Sequence, residues 1–369
     1  MFLSYLLRST YVLLASIALA FELFPWTREA FIKYGKTRRA DAPDSAEDSA
    51  SEKSLFVRAL EWFAQQTVPK YMFAQFYSIG VIVSALLTMD IVGWNKYQTN
   101  QHLASVAPKF YLQFYMDLEE NQFGHPRGHF VAFPHKLAII ALGMYNLHVI
   151  LRLKETVYDQ PATNARMHVG QYAVGVLFYI VTPFAVVADS FYSPGWEAGS
   201  PWTVVVGIAV FLWASVRQWR CHHILFKLRY QTLREENERK DAEERQSEAS
   251  EAIEAIEAIE ASEDAANGGG AGPSTSSAEP KTPSTPVAPY VIPTGDLFNY
   301  VSCPHFLCEI IIYISIWLAT SCQSNTLLFV IGWEVVNLGI TAKESQQWYK
   351  RTFGDKYPRT RRALVPFLW

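Results

Sequence analysis

The sequence predicts an all-α membrane protein, a bundle of about seven transmembrane helices with a disordered cytosolic insertion. Three observations predict it. Apolar residues gather in blocks of about 20, the length of helix that spans a ~30 Å hydrocarbon core. Basic clusters follow the first, third, fifth and seventh blocks, and seven crossings place all four on one side. One long polar segment, 234–289, breaks the apolar pattern and dilutes the mean hydropathy to +0.03.

The first block, 2–25, carries Arg8 and ends at Glu22 and Pro25. Its basic start is weak and no A-x-A cleavage site follows, so it reads as a retained span rather than a signal peptide. A basic cluster follows over 28–39. Residues 40–54, rich in Ala, Ser, Asp and Glu, read as a flexible insert. Residues 55–66 have apolar positions at helical spacing and suit the membrane interface.

The second span covers 71–94 and holds Asp90 near its far end. An acidic and aromatic loop over 95–130 suits the lumenal side. The third span, 131–151, is closed by Arg152, Lys154 and Glu155. The fourth, 167–188, contains Pro183, which a span tolerates when neighbours satisfy the freed carbonyl. Gly170 and Gly175 allow close packing there, and Gln171 and Tyr172 would point into the bundle or cap it.

The fifth span, 201–216, runs into Arg217, Arg220, Lys227 and Arg229. The sixth covers 306–322 and the seventh 326–342, followed by a basic tail. Parity puts the N-terminus in the lumen and the C-terminus in the cytosol. The chain thus divides into 1–39, 40–54, 55–233, 234–289 and 290–369. The fourth of these starts as a charged helical run through Arg245. Its Ala-Ile-Glu repeats and Gly and Ser/Thr/Pro runs then suggest disorder, because a period of three drifts against 3.6.

Composition narrows the function. The chain is 50% hydrophobic and 14% aromatic, and its net charge of −3 offers no footprint for nucleic acid. Cys221, Cys303, Cys308 and Cys322 lack metal or disulfide spacing and read as buried or cytosol-facing thiols. His125, His129 and His135 on the loop, and the adjacent His222 and His223, lack zinc-ligand spacing, so no metal is expected. No Rossmann fingerprint, P-loop, G-x-S-x-G or H-E-x-x-H is present.

Two polar clusters remain at the cytosolic edge. One is QWRCHHILFKLR, 218–229, where Gln218, His222 and Arg229 share a helical face at offsets of four and seven. Arg229 suits a phosphate. The other is PTGDLFNYVSCPHFLCE, 293–309, broken by Pro293, Gly295 and Pro304. Its Asp296, Tyr300, Ser302, His305 and Glu309 lie against an apolar run, which is costly unless they pair or bind something. Asp296 reads as a cap. His148, Arg152 and Glu155 share a face of the third span, where Arg152 and Glu155 can simply pair.

GDLFNYVSCPHFLCEIIIY, Asn337-Leu338 and WYKRTFGDKYPRTRRALVPFLW resemble the C-terminal domain of the steroid 5-alpha-reductase family. QWRCHHILFKLR is similar to the polyprenol reductase branch of that family, as are VPKYMFAQFY and FIKYGKTR. The resemblance covers most of the chain outside 40–53 and 234–289. It implies a seven-helix bundle of the endoplasmic reticulum membrane that binds NADPH from the cytosol. By motif it assigns the cofactor to Arg152, Gln218, His222, Arg229, His305 and Tyr349. Steroid-reducing members hold the substrate carbonyl with a glutamate and a tyrosine. Tyr145 and Glu155 flank the corresponding place by about a turn each way and are the catalytic candidates.

The implied reaction is reduction of the α-isoprene double bond of a polyisoprenoid in dolichol synthesis, with membrane lipid as the surroundings. A hydride needs an electrophilic carbon, so the aldehyde, polyprenal, is the expected substrate rather than the alcohol. The alternatives are a steroid 5-alpha-reductase, a trans-2-enoyl-CoA reductase, and a non-catalytic membrane scaffold.

Overall fold

The computed structural model describes residues 2–23, 62–63, 65–99, 136–162, 165–191, 199–266 and 290–367, with backbone alone for 93–99 and 260–266. The basic cluster 28–39, the insert 40–54, most of the interfacial helix 55–66, most of the loop 95–130 with its histidines, and 267–289 lie outside the described residues.

Seven long helices account for most of the described chain: α1 (Phe2–Leu23), α2 (Phe73–Thr99), α3 (Lys136–Lys154), α4 (Val169–Val187), α5 (Pro201–Ala266), α6 (Pro304–Ala319) and α7 (Asn325–Phe353). Six of them are long and apolar enough to cross a membrane. The sixth, α6, has 16 residues, about 24 Å at 1.5 Å rise. The chain is an all-α membrane protein of the class its sequence predicts. Only the ends of the helices move. The sixth span starts at Pro304 and stops at Ala319 rather than running 306–322, because the chain turns through Ser321 and Cys322 with positive φ. The seventh continues to Phe353, where Gly354 in the left-handed region ends it.

The chain divides into two compact units, Met1–Ile224 with Thr294–Trp369, and Leu225–Pro293. In the second unit the helix continues to Ala266, past Arg245. The Ala-Ile-Glu repeats are therefore helical where the sequence suggests disorder. Ala and Glu are strong helix formers, and Arg234–Glu238 and Arg239–Glu243 pair at the i,i+4 spacing. These contacts outweigh the lack of a steady apolar face.

A two-stranded antiparallel ribbon, unforeseen from the sequence, pairs β1 (Thr67–Pro69) with β2 (Arg166–His168). Three-residue strands are too short to show alternation. The ribbon ties the starts of α2 and α4 together. At its end His168 caps α4, with Nδ1 accepting from the Gly170 N–H at 2.9 Å. Gln171 Oε1 accepts from the His168 N–H at 3.3 Å, so the residue expected to cap the helix does so. Tyr172 donates to Gln75 on α2.

Within the first unit α1 and α7 run parallel. Near their starts Arg8 bonds Thr326 Oγ1, and near their far ends Lys343 bonds Glu22 at 2.6 Å. Asp189, at the end of α4, completes the first end. It accepts from Arg8 at 2.8 Å, from the Thr326 N–H at 2.7 Å and from the Thr326 hydroxyl at 2.9 Å. Three helices thus meet on one buried carboxylate.

Glycines set the closest approaches. A Cβ on Gly175 would lie 2.7 Å from the Phe76 ring, which bears out its packing role. A Cβ on Gly207 of α5 would lie 2.8 Å from both Ala319 N and Ser315 O of α6. Both are backbone atoms that a rotamer change cannot move. Gly207→Val is expected to cost about 2–3 kcal/mol by overpacking and to lower the melting temperature measured in detergent.

Candidate active site

The loop before α6 is built around the C-terminal tail. Ser302 N–H donates to Arg362 O at 2.8 Å, and Arg362 N–H donates to Tyr300 O at 3.0 Å. The Ser302 hydroxyl also bonds the Tyr357 phenol at 2.6 Å. Burial pushes that phenol above its ordinary value, while Ser302 and Arg361 pull it back. Asp296 sits at φ 46°, accepts from the Leu297 N–H at 2.8 Å and takes Arg217 of α5 on both carboxylate oxygens. Gly295, not Asp296, is the N-cap of the short 3-10 turn Asp296–Asn299, which has no side-chain cap, so in place of the expected cap Asp296 forms an ion pair between α5 and this loop. Arg220 lies 3.8 Å from the same carboxylate.

Pro304 then starts α6 from its first turn, where its missing N–H costs nothing. This start aims His305 and Glu309 at α3 and α5. Glu309 is the hub. Its Oε1 lies 2.9 Å from His148 Nε2 of α3, and its Oε2 accepts from Gln218 of α5. Gln218 also donates to the His305 carbonyl at 3.3 Å. The His305 ring meets the His222 ring edge to face at 5.4 Å.

A second set joins this one through His222. Its Nδ1 lies 2.7 Å from Glu155 Oε2 and 2.6 Å from Arg152 Nη1. That nitrogen can donate to the carboxylate or accept from the guanidinium, but not both, so the tautomer selects the partner. Arg152 pairs with Glu155 and bonds the Tyr77 hydroxyl at 3.2 Å, with its guanidinium 5.2 Å above the Tyr77 ring. Glu155 opens a single π-helical turn, Glu155–Asp159, at the end of α3. Such turns recur at functional sites because they re-aim side chains.

The structure thus gathers Arg152, Glu155, Gln218, His222 and His305 at one end of the bundle. The pairing of Arg152 with Glu155, open from the sequence, is formed, and His222 joins it. Tyr145 lies elsewhere, deep in the core with its hydroxyl buried and without a partner among the described residues. Tyr349 stacks on Tyr357 at 5.5 Å and on Phe353 at 6.0 Å. Arg229 belongs to the second unit, where it lies 3.6 Å from Glu236.

Three residues of this cluster carry no assignment from the sequence: Glu309, His148 and Tyr77. Glu309 was visible as a polar residue at the edge of an apolar run, and His148 as a face-mate of Arg152. Their pairing needs α3 and α6 to be neighbours, which local spacing does not encode. Among the described residues no group of three or more His, Cys, Asp or Glu could hold a metal ion.

The polar groups here are of the kinds that a carboxamide and a phosphate call for, an amide beside a carboxylate and a pair of guanidinium groups. Gln218 and Glu309 hydrogen-bond each other in a buried place and would take a carboxamide by exchanging that bond for one to it. Arg217 and Arg220 face the single carboxylate of Asp296, which leaves a net positive charge beside them.

Comparison with known proteins agrees with this architecture. Residues 284–369, which hold the loop, α6, α7 and the tail, match the family model described as 3-oxo-5-alpha-steroid 4-dehydrogenase. The chain is 27% identical to polyprenal reductase 2 of Oryza sativa subsp. japonica, over 92% of this chain and 87% of that one. It is 26% identical to polyprenal reductase 2 of Arabidopsis thaliana, over 82% and 83%. It is 24% identical to polyprenal reductase of Xenopus tropicalis, over 84% and 82%. Residues 284–369 thus match a steroid 5-alpha-reductase family domain, and the chain as a whole is similar to proteins named polyprenal reductase.

Proposed function

We propose that the protein reduces the α-isoprene double bond of polyprenal with NADPH, in the endoplasmic reticulum membrane, with its C-terminus in the cytosol. The reaction would belong to dolichol synthesis and so support protein N-glycosylation. The observation that carries this reading is the buried network of α3, α5 and α6 centred on Glu309, Gln218 and His222, in a chain similar to polyprenal reductases.

NADPH, when bound, would supply a hydride to the carbon β to the aldehyde, and a proton would then reach the α-carbon to give the saturated aldehyde. Gln218, His222 and His305 would hold its nicotinamide end, and Arg152 keeps that set in place through His222. Arg229 and Tyr349 are the further cofactor residues that the family motif assigns. Glu155 acts as a positioning residue, since its carboxylate orders both Arg152 and His222. The aldehyde oxygen gains negative charge as the double bond is reduced, and a hydrogen-bond donor aimed at it lowers the barrier. Tyr145 is our choice for that donor, because its buried hydroxyl is not committed to another side chain. The polyisoprenoid tail would enter sideways from the bilayer.

Purified protein in detergent should oxidise NADPH with polyprenal and yield the saturated aldehyde. It should leave polyprenol, a 4-ene-3-oxosteroid and an enoyl-CoA unchanged. Saturation of polyprenol but not polyprenal would overturn the substrate assignment, and flat traces for all four from folded protein would favour a scaffold.

A further inference from the structure

The C-terminal tail is bonded as a strap over the loop that starts α6. Arg362 N–H donates to Tyr300 O at 3.0 Å, and Cys303 N–H donates to Ala363 O at 3.2 Å. One side of the strap is apolar and covered. Ala363 and Leu364 are buried in a small core with Cys303, Ile310 of α6 and Ala342 of α7.

The other side is basic and open. Between 350 and 362 the residues Lys350, Arg351, Lys356, Arg359 and Arg362 are exposed, and Asp355 is the single acid of that stretch. Asp355 pairs with Arg359 at 2.7 Å, but their side chains are 91% and 87% exposed, so water screens the pair. The Lys356 and Arg362 side chains make no hydrogen bond or ion pair among the described residues. At the edge of the same strap two aromatic rings are uncovered. Tyr300 is 51% exposed and Phe367 80%, with ring centroids 6.3 Å apart.

Cations after a last span follow from the positive-inside rule. That rule concerns their number and their side. It does not ask for a tail bonded back beside a span, or for bare aromatic rings next to the cations. The depth of the strap is also set. Arg362 is bridged to Val301, three residues before Pro304, where α6 begins. Three extended residues reach at most about 10 Å, so Arg362 is held at the level where α6 enters the apolar layer.

We propose that this strap is a docking surface for the anionic lipid headgroups of the leaflet that it faces. Lys356, Arg359 and Arg362 take headgroup phosphates and carboxylates, which suit guanidinium and ammonium donors. Tyr300 and Phe367 seat in the headgroup layer, where aromatic rings settle. A membrane surface fits better than a soluble phosphate compound, which would leave both rings in water. Because the strap is bonded to the loop that starts α6, a bound headgroup holds the tail down on that loop. This goes beyond the reductase reading, since it involves neither substrate nor cofactor and needs only that α6 enter the membrane.

The test places the full-length protein in nanodiscs of phosphatidylcholine alone, or of phosphatidylcholine mixed with phosphatidylserine, and digests it with trypsin. Cleavage after Lys356, Arg359 and Arg362 should be slower in the anionic discs, and raised salt should remove the protection. Cleavage after the exposed Arg245 of the second unit should run equally in both. In detergent, short-chain phosphatidylserine should raise the melting temperature, whereas short-chain phosphatidylcholine and inorganic phosphate should not. Lys356→Gln and Arg362→Gln should each weaken the apparent affinity for that lipid about fivefold, the worth of one cation near an anionic surface. Arg362→Lys should keep most of it.

Equal cleavage of the tail in the two kinds of disc would overturn the proposal. So would a thermal shift that both glutamine variants retain in full, because the lipid would then bind elsewhere. A shift as large with inorganic phosphate would overturn the lipid as the source of the bound group. None of these readouts uses turnover, so they stand or fall apart from the reductase reading.

Discussion

Glu309→Ala should reduce polyprenal-dependent NADPH oxidation by about 100-fold, the cost of an Ångström-scale misplacement in a reacting pair. Glu309 is the one side chain that holds His148 of α3 and Gln218 of α5 together. Without it, His148 loses its carboxylate and Gln218 keeps only the His305 carbonyl. Most of the loss should appear in kcat at saturating NADPH, because the bundle still closes around the site through its apolar contacts. Glu309→Gln offers a control. Its amide can accept from Gln218 through its oxygen but carries no charge for His148, so it should fall between Ala and wild type. Alanine activity within twofold of wild type would remove Glu309 from the site. Single-turnover rates of the two variants would make the comparison.

The second large effect is on stability, at the opposite end of the bundle. Asp189→Ala should destabilise the protein by about 3 kcal/mol, the cost of leaving a partly buried charge without its partner. The carboxylate takes the Arg8 guanidinium and both the backbone and hydroxyl donors of Thr326. Removing it leaves Arg8 with Thr326 Oγ1 alone at 3.1 Å. Asp189→Asn keeps an acceptor for the Thr326 N–H and should lose less. Thermal unfolding of the three proteins in one detergent would rank them. Kinetic constants for polyprenal should change little in either variant, because this carboxylate lies far along α4 from the Arg152 end. A ranking in which alanine matches wild type would mean that Arg8 reaches the membrane surface instead of depending on Asp189.

Much of this architecture is legible in the sequence, for a physical reason. A membrane span needs length and apolarity, both of which are local properties, so all seven helices can be found one at a time. Their ends are less local. The stop of α6 at Ala319 depends on the positive-φ turn at Ser321 and Cys322, residues with no glycine signal. The extension of α5 through Ala266 depends on Ala and Glu propensity winning over a drifting pattern. In the site, Arg152, Gln218, His222 and His305 could be found because each sits in a motif or at a helix end. Glu309 could be seen but not assigned, because its role is to join helices distant in sequence. Glu334 stands out as a carboxyl within an apolar span, though local spacing does not say what it faces, whereas Tyr313 does not stand out. A tyrosine within an apolar run looks like core, and only packing reveals that its hydroxyl lacks a partner.

The parallel pairing of α1 with α7 also constrains how the molecule is made. Arg8 enters the bilayer with the first helix, but one of its partner atoms belongs to Thr326 and the other to Asp189. During synthesis that guanidinium waits, reaching for headgroups by its flexible stem, until the fourth helix brings Asp189, and its bond to Thr326 forms only with the last helix. The first span is therefore held loosely at first and locked last. Chains stalled before residue 189 would carry an unpaired charge in the first helix, and chains stalled before residue 326 would hold that helix by the Asp189 ion pair without the α7 contact.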